Sequence, residues 1–133
     1  MITPVSAVFA SVLAVLFIVL GYRVSLFRLK HQKGFGHNND RDFEAAVRAH
    51  ANLAEYAPIA LILLVVGELN GVSTQLVYWT GLTFVASRLL HAWGMYKGRG
   101  GPHKARLVGI LLSWISILVM AGLVVWNVVR VNV

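Results

Sequence analysis

The long uncharged stretches of the chain limit what it can fold into. Residues 1–22 carry no charged side chain, and neither do residues 107–129. Coiled as a helix, each spans roughly 30 Å, the thickness of a bilayer's hydrocarbon core. Residues 71–87 form a third uncharged block, and apolar side chains continue past Arg88 and His91 to Tyr96. A fourth, residues 57–67, reaches full length when extended back through Leu53 and Ala49. With 58% hydrophobic and 13% charged residues, the chain has too little polar surface to cover a soluble core of its size. The expectation is an all-α membrane protein of four transmembrane helices, at about residues 3–29, 42–69, 74–96 and 105–127. The connections are short, which predicts one up-down-up-down bundle over residues 1–133.

Local signals agree with these boundaries. Asp40 or Asp42 can cap the second helix, with Glu44 in its first turn favouring the helix dipole. Pro58 removes one backbone hydrogen bond within that helix, so a kink or loosening is expected there. Asn70-Gly71 suits a turn with a left-handed glycine, after which Ser73 or Thr74 can open the third helix. Nothing basic precedes Arg23, so the first block is expected to be an uncleaved helix and not a signal peptide. Cysteine is absent, which excludes disulfides and a protein thiolate as nucleophile or metal ligand. No metal is expected.

The net charge of +7 is unevenly placed. Arg23, Arg28, Lys30, Lys33, Arg41 and Arg48 lie around the first connection, and Lys97, Arg99, Lys104 and Arg106 around the third. The second connection has no Lys or Arg. The positive-inside rule then puts the first and third loops in the cytoplasm and both termini on the outer side. The basic balance reads as a topology signal and a contact for anionic membrane lipids, not as a nucleic-acid surface.

Within the second helix, Arg48, Asn52 and Glu55 are spaced i, i+4, i+7 and share one stripe, which Glu44 extends by a turn. His50 points to nearly the opposite side. Arg88 and His91 share a face of the third helix, beside Ser87. Ionisable residues at membrane depth usually face the bundle interior, paired or lining a cavity. Two readings stand. Arg48, Glu55 and Arg88 could form ion pairs that fasten two helices without adding net stability. Alternatively, three arginines counting Arg106, with Asn52 and His91, exceed what one glutamate can satisfy and suit an anionic ligand. Glu68, near the far end of the second helix, has no cationic partner in sequence and reads as interfacial. Gly81, Gly94, Gly109 and Gly122 with Ser113 and Ser116 permit close helix approach.

The stretch EAAVRAHANLAEYAP resembles the signature of the MAPEG family (membrane-associated proteins in eicosanoid and glutathione metabolism). Glu44, Arg48, Ala49, Asn52, Glu55 and Pro58 fit its pattern, and SRLLHAWGMY resembles the family's third-helix segment. The resemblance covers essentially the whole chain. It implies a homotrimer with glutathione sites between subunits near the cytoplasmic face. In that frame Arg28, Arg48, Asn52, Glu55, Arg88, His91 and Tyr96 bind glutathione, and Arg106 stabilises its thiolate. Arg99 is a rival for that last role. Four positions depart from family enzymes: Ala45 stands where the motif has an arginine directly after the glutamate, and Met95 stands where a tyrosine is common, with Tyr96 one place late. Ile110 replaces a tyrosine one turn after Arg106, and Leu107 replaces a serine beside it.

The implied function is a glutathione S-transferase or peroxidase of a bacterial inner membrane, with glutathione as co-substrate and a lipophilic small molecule arriving through the bilayer. The alternative is a non-catalytic protein that binds a lipid or thiol ligand at the same inter-subunit site. A small exporter of lipophilic cations would want an acidic residue in the first helix, and residues 1–22 contain none.

Overall fold

The computed structural model describes residues 2–132, which form four helices: α1 (Pro4–His31), α2 (Arg41–Leu69), α3 (Thr74–Lys97) and α4 (Lys104–Asn132). The starts of α2 and α3 have a local chemical cause. Asp40 caps α2, its carboxylate accepting from the backbone N–H of Asp42 at 2.9 Å and of Phe43 at 3.2 Å. Ser73 caps α3 through Leu76 N at 3.5 Å. Gly71, at φ 80°, makes the left-handed turn between α2 and α3. α2 runs through Pro58 as one continuous helix.

The start of α1 is capped from a distance. Thr3 makes no side-chain capping bond. Instead Glu68, at the far end of α2, accepts from Val5 N at 2.9 Å, Ser6 N at 2.8 Å and Ser6 Oγ at 2.5 Å. A carboxylate on the free N–H groups of a helix start is favoured by both hydrogen bonding and the helix dipole. Glu68 is therefore a built joint between two helices, not a loose interfacial charge.

α2 and α3 each pack on all the other helices, whereas α1 and α4 lie on opposite sides and do not meet. The α3–α4 contact is the most extensive. Glycine makes it possible: a Cβ on Gly94 would lie 2.3 Å from Arg106 N, and one on Gly109 would lie 2.7 Å from His91 N. The two backbones therefore touch where the candidate residues sit. Gly81 admits the Phe9 ring in the same way, while Gly122 meets nothing within 4 Å. Phe9, Leu13, Leu53, Leu64, Val77, Phe84 and Met120 fill the core.

Outward-facing positions such as Val15, Ile18, Ile62, Trp79, Leu118 and Val125 are apolar and exposed, as a lipid-facing surface requires. By length and composition α1, α2 and α4 are apolar enough to cross a membrane, one fewer than the four expected. α3 is long enough, but it carries Ser87, Arg88 and His91, which are buried against the other helices. Its low hydropathy reflects an inward polar face, not exposure to water.

Candidate functional site

The polar residues gather at the end of the bundle that bears the two basic loops. Arg88 is the most deeply set, at 2% exposure. Its guanidinium donates to Asn52 Oδ1 at 2.7 Å, to the Gly109 carbonyl at 3.1 Å and to Ser113 Oγ. Ser87 and Ser113 share a 2.5 Å hydrogen bond beside it, and the Tyr56 and Phe84 rings lie 5.3 and 5.6 Å from its Cζ. No carboxylate pairs with it among the described residues. The ion-pair clasp considered from sequence is therefore absent: Arg88 ties α2, α3 and α4 together through neutral acceptors. Because Arg88 occupies Asn52 Oδ1, the Asn52 amide N–H groups are left to point elsewhere.

Next to this knot lies a cleft of about 660 Å³ lined by Asn52, His91, Pro102, His103, Lys104, Arg106, Leu107 and Ile110. Arg106 also borders a smaller hollow of about 200 Å³ with Arg41, Glu44, Arg48 and Arg99. One guanidinium N–H of Arg106 donates to the Gly100 carbonyl at 2.8 Å and, more weakly, to Gly101 at 3.4 Å. No carboxylate neutralises it among the described residues. Arg99, in contrast, is committed to Asp42 at 2.8 Å. Between the two arginines, Arg106 is the one whose charge is free for a ligand.

The remaining sequence candidates divide. Asn52 and His91 join Arg106 in the cleft, and Arg48 joins it at the hollow. His91 is 6% exposed, its ring makes no hydrogen bond among the described residues, and it lines the cleft. Glu55 is exposed on α2, and neither it nor Arg48 has a partner among the described residues. Arg28 donates to the Gly34 carbonyl and lies 5.7 Å from the Phe43 ring, closing the first loop on its own chain. Tyr96 is half exposed on another side of α3, with the Arg23 guanidinium 4.3 Å over its ring. Within one subunit, then, Arg28 and Tyr96 are not brought to the cleft.

The MAPEG family model matches residues 6–126. The chain belongs to the MAPEG family. Among curated proteins this MAPEG chain is 30% identical over 122 residues to inner membrane protein YecN of Escherichia coli strain K12, covering 92% of this chain and 91% of the relative. The corresponding protein of Escherichia coli O6:H1 matches to the same extent. The MAPEG chain is accordingly a membrane protein, consistent with its three strongly apolar helices and the lipid-compatible exterior.

His103 is a cleft residue that sequence reasoning passed over. It lies in the connection before α4, where its Nδ1 accepts from the Ala105 backbone N–H at 3.2 Å, and the Trp93 ring packs edge-on at 5.4 Å. Its place within the basic stretch RGGPHKAR, three residues before Arg106, was the available signal. The other loop is held by Asp40, which His31 Nε2 approaches at 3.0 Å. That contact, helped by the Phe43 and Asp42 backbone N–H groups, holds the Asp40 carboxyl below the usual aspartate range.

Proposed function

We propose that this chain is a glutathione-dependent transferase or peroxidase acting on lipophilic electrophiles, working as a homotrimer in a bacterial inner membrane. The observation that carries this reading is the Arg106 guanidinium: in no ion pair among the described residues, although Glu44 shares its hollow, it borders both the cleft and the hollow, with Asn52, His91 and Arg48 around it. Glutathione offers two carboxylates, an ammonium and a thiol. Arg48 and the Asn52 amide suit the carboxylates and peptide groups, and Glu55 suits the ammonium. Arg106 suits the thiolate, since an adjacent cation favours the ionised form by about 1.4 kcal/mol for each unit its pKa falls. The thiol releases its proton to solvent, and sulfur attacks the electrophile with loss of its leaving group.

The trimer is supported by Arg48, in the second turn of α2, and Glu55, midway along it, both exposed and without a partner among the described residues in a helix apolar enough to lie in lipid. Charges in that position call for cover by a neighbouring subunit. Such a neighbour would also be the source of Arg28 and Tyr96, which the single subunit keeps apart from its own cleft. The distribution of Lys and Arg supports a cytoplasmic position for the first and third loops, with both termini outside.

A second reading, ligand binding without chemistry, is favoured by one observation. The residues flanking Arg106 in the cleft include Leu107 and Ile110, so no hydroxyl stands ready beside the thiolate. Conjugation of glutathione to an aryl halide by the detergent-purified protein separates the two. The transferase reading expects turnover that falls on the order of a hundredfold in Arg106→Ala, the scale of a lost charge-stabilising donor. Arg48→Ala should raise the KM for glutathione. Bound glutathione without turnover would leave the binding reading, and absence of both would end the glutathione assignment.

A further inference from the structure

The connection before α4 places an imidazole beside Arg106 with its orientation already set. A backbone N–H donating to Nδ1 of His103 requires a lone pair there, so in the neutral ring the proton sits on Nε2. The edge-on Trp93 ring fixes the plane. Nε2–H has no partner among the described residues, and the residue lines the 660 Å³ cleft with Arg106. Asn52, His91 and Lys104 line the same cleft, but among its polar residues only the His103 side chain is held by both a backbone N–H and an aromatic ring.

We propose that His103 is a specificity-determining catalytic residue that donates a hydrogen bond to an oxygen leaving group, directing the cleft towards hydroperoxides. This rests on the glutathione reading above. In the reaction the glutathione thiolate attacks the distal peroxide oxygen. An S–O bond forms, the O–O bond breaks, and its electron pair leaves on the alkoxide, which accepts a proton from water to give the alcohol. Sulfur is oxidised to the sulfenic acid. A second glutathione then condenses with it to give the disulfide and water, so two thiols and one hydroperoxide yield disulfide, alcohol and water. Arg106 is committed to the thiolate in this scheme, so a separate donor is needed where the negative charge appears on oxygen. A halide leaving group accepts hydrogen bonds far more weakly and gains little from it.

The test uses the full chain in detergent with cumene hydroperoxide and a benzyl halide, each with glutathione. His103→Asn keeps an acceptor for the Ala105 N–H but lacks the distal N–H, whereas His103→Gln supplies a distal N–H and loses the cap. The inference expects the ratio of peroxide to halide kcat to fall on the order of a hundredfold in His103→Asn and to recover substantially in His103→Gln. A merely structural role in starting α4 predicts the reverse order and equal losses on both substrates, which would overturn it. Should His103→Asn fail to fold, His103→Phe keeps the ring on Trp93 and must show the same drop in ratio. Halide conjugation without peroxide reduction in the parent would end this inference and spare the transferase reading. Neither reaction, with no glutathione bound, would end both.

Discussion

Glu68 and Glu55 sit on one helix, yet they live in opposite circumstances. At one end of the bundle Glu68 accepts three hydrogen bonds from the start of α1. Midway along the same helix Glu55, and nearer its start Arg48, are exposed and have no partner among the described residues. The arginines repeat the contrast: Arg88 is buried in neutral acceptors, while Arg106 keeps an uncompensated charge between a cleft and a hollow. Polar groups that are fully satisfied hold helices together; those left unsatisfied at one place are the ones the proposed ligand and neighbouring subunit would use. The same residue types serve both purposes, and only their partners distinguish them.

The largest effect is expected at Arg88. Arg88→Met should destabilise the bundle by about 3 kcal/mol, since Asn52, Ser113 and the Gly109 carbonyl lose their shared donor in a buried setting. Arg48→Ala should change stability by less than about 0.5 kcal/mol. Unfolding in mixed micelles with increasing SDS measures both, and equal costs would erase the distinction between structural and ligand-facing arginines.

Glu68→Gln gives a smaller effect, a loss of about 1 kcal/mol as the charge-assisted cap on α1 weakens. Hydrogen exchange at Val5 and Ser6 should rise with it, and unchanged exchange would remove Glu68 from the joint. Glu55→Gln is expected to leave stability unaffected while lowering the affinity for glutathione.

The smallest effect is a pH dependence at the first loop. Because the folded Asp40 carboxyl lies below its ordinary value, its contribution to stability is present above the ordinary aspartate range. It is lost as pH falls through that range towards the lowered folded value. Asp40→Asn should flatten that part of the acid-unfolding profile, and an identical slope in both proteins would contradict the His31–Asp40 contact.

Much of this was legible in the sequence because membrane helices are dictated by lengths and periods. The uncharged blocks located all four helices, and the glycines at 94 and 109 marked where α3 and α4 could touch. The i, i+4, i+7 spacing set Arg48, Asn52 and Glu55 on one stripe. Periodicity reports a face, however, and never what stands opposite it. Glu68 seemed unpartnered because its partners are backbone N–H groups 62 and 63 residues away, which no charge pattern advertises. Arg88 looked equivalent to Arg106 because burial depth is decided by the crossing of α3 and α4. Tyr96 joined the site by its place in a motif, but one residue of helical rotation turned it towards Arg23. His103 lay in a loop, where no period applies.

The central claim is that Arg106 is kept free so that a thiol bound beside it is held as thiolate. Ultraviolet difference absorbance of glutathione bound to the purified protein near neutral pH tests it directly. The account predicts a thiolate band in the parent that disappears in Arg106→Ala while Arg99→Ala retains it. No band in the parent, or a band of equal strength without Arg106, would contradict it.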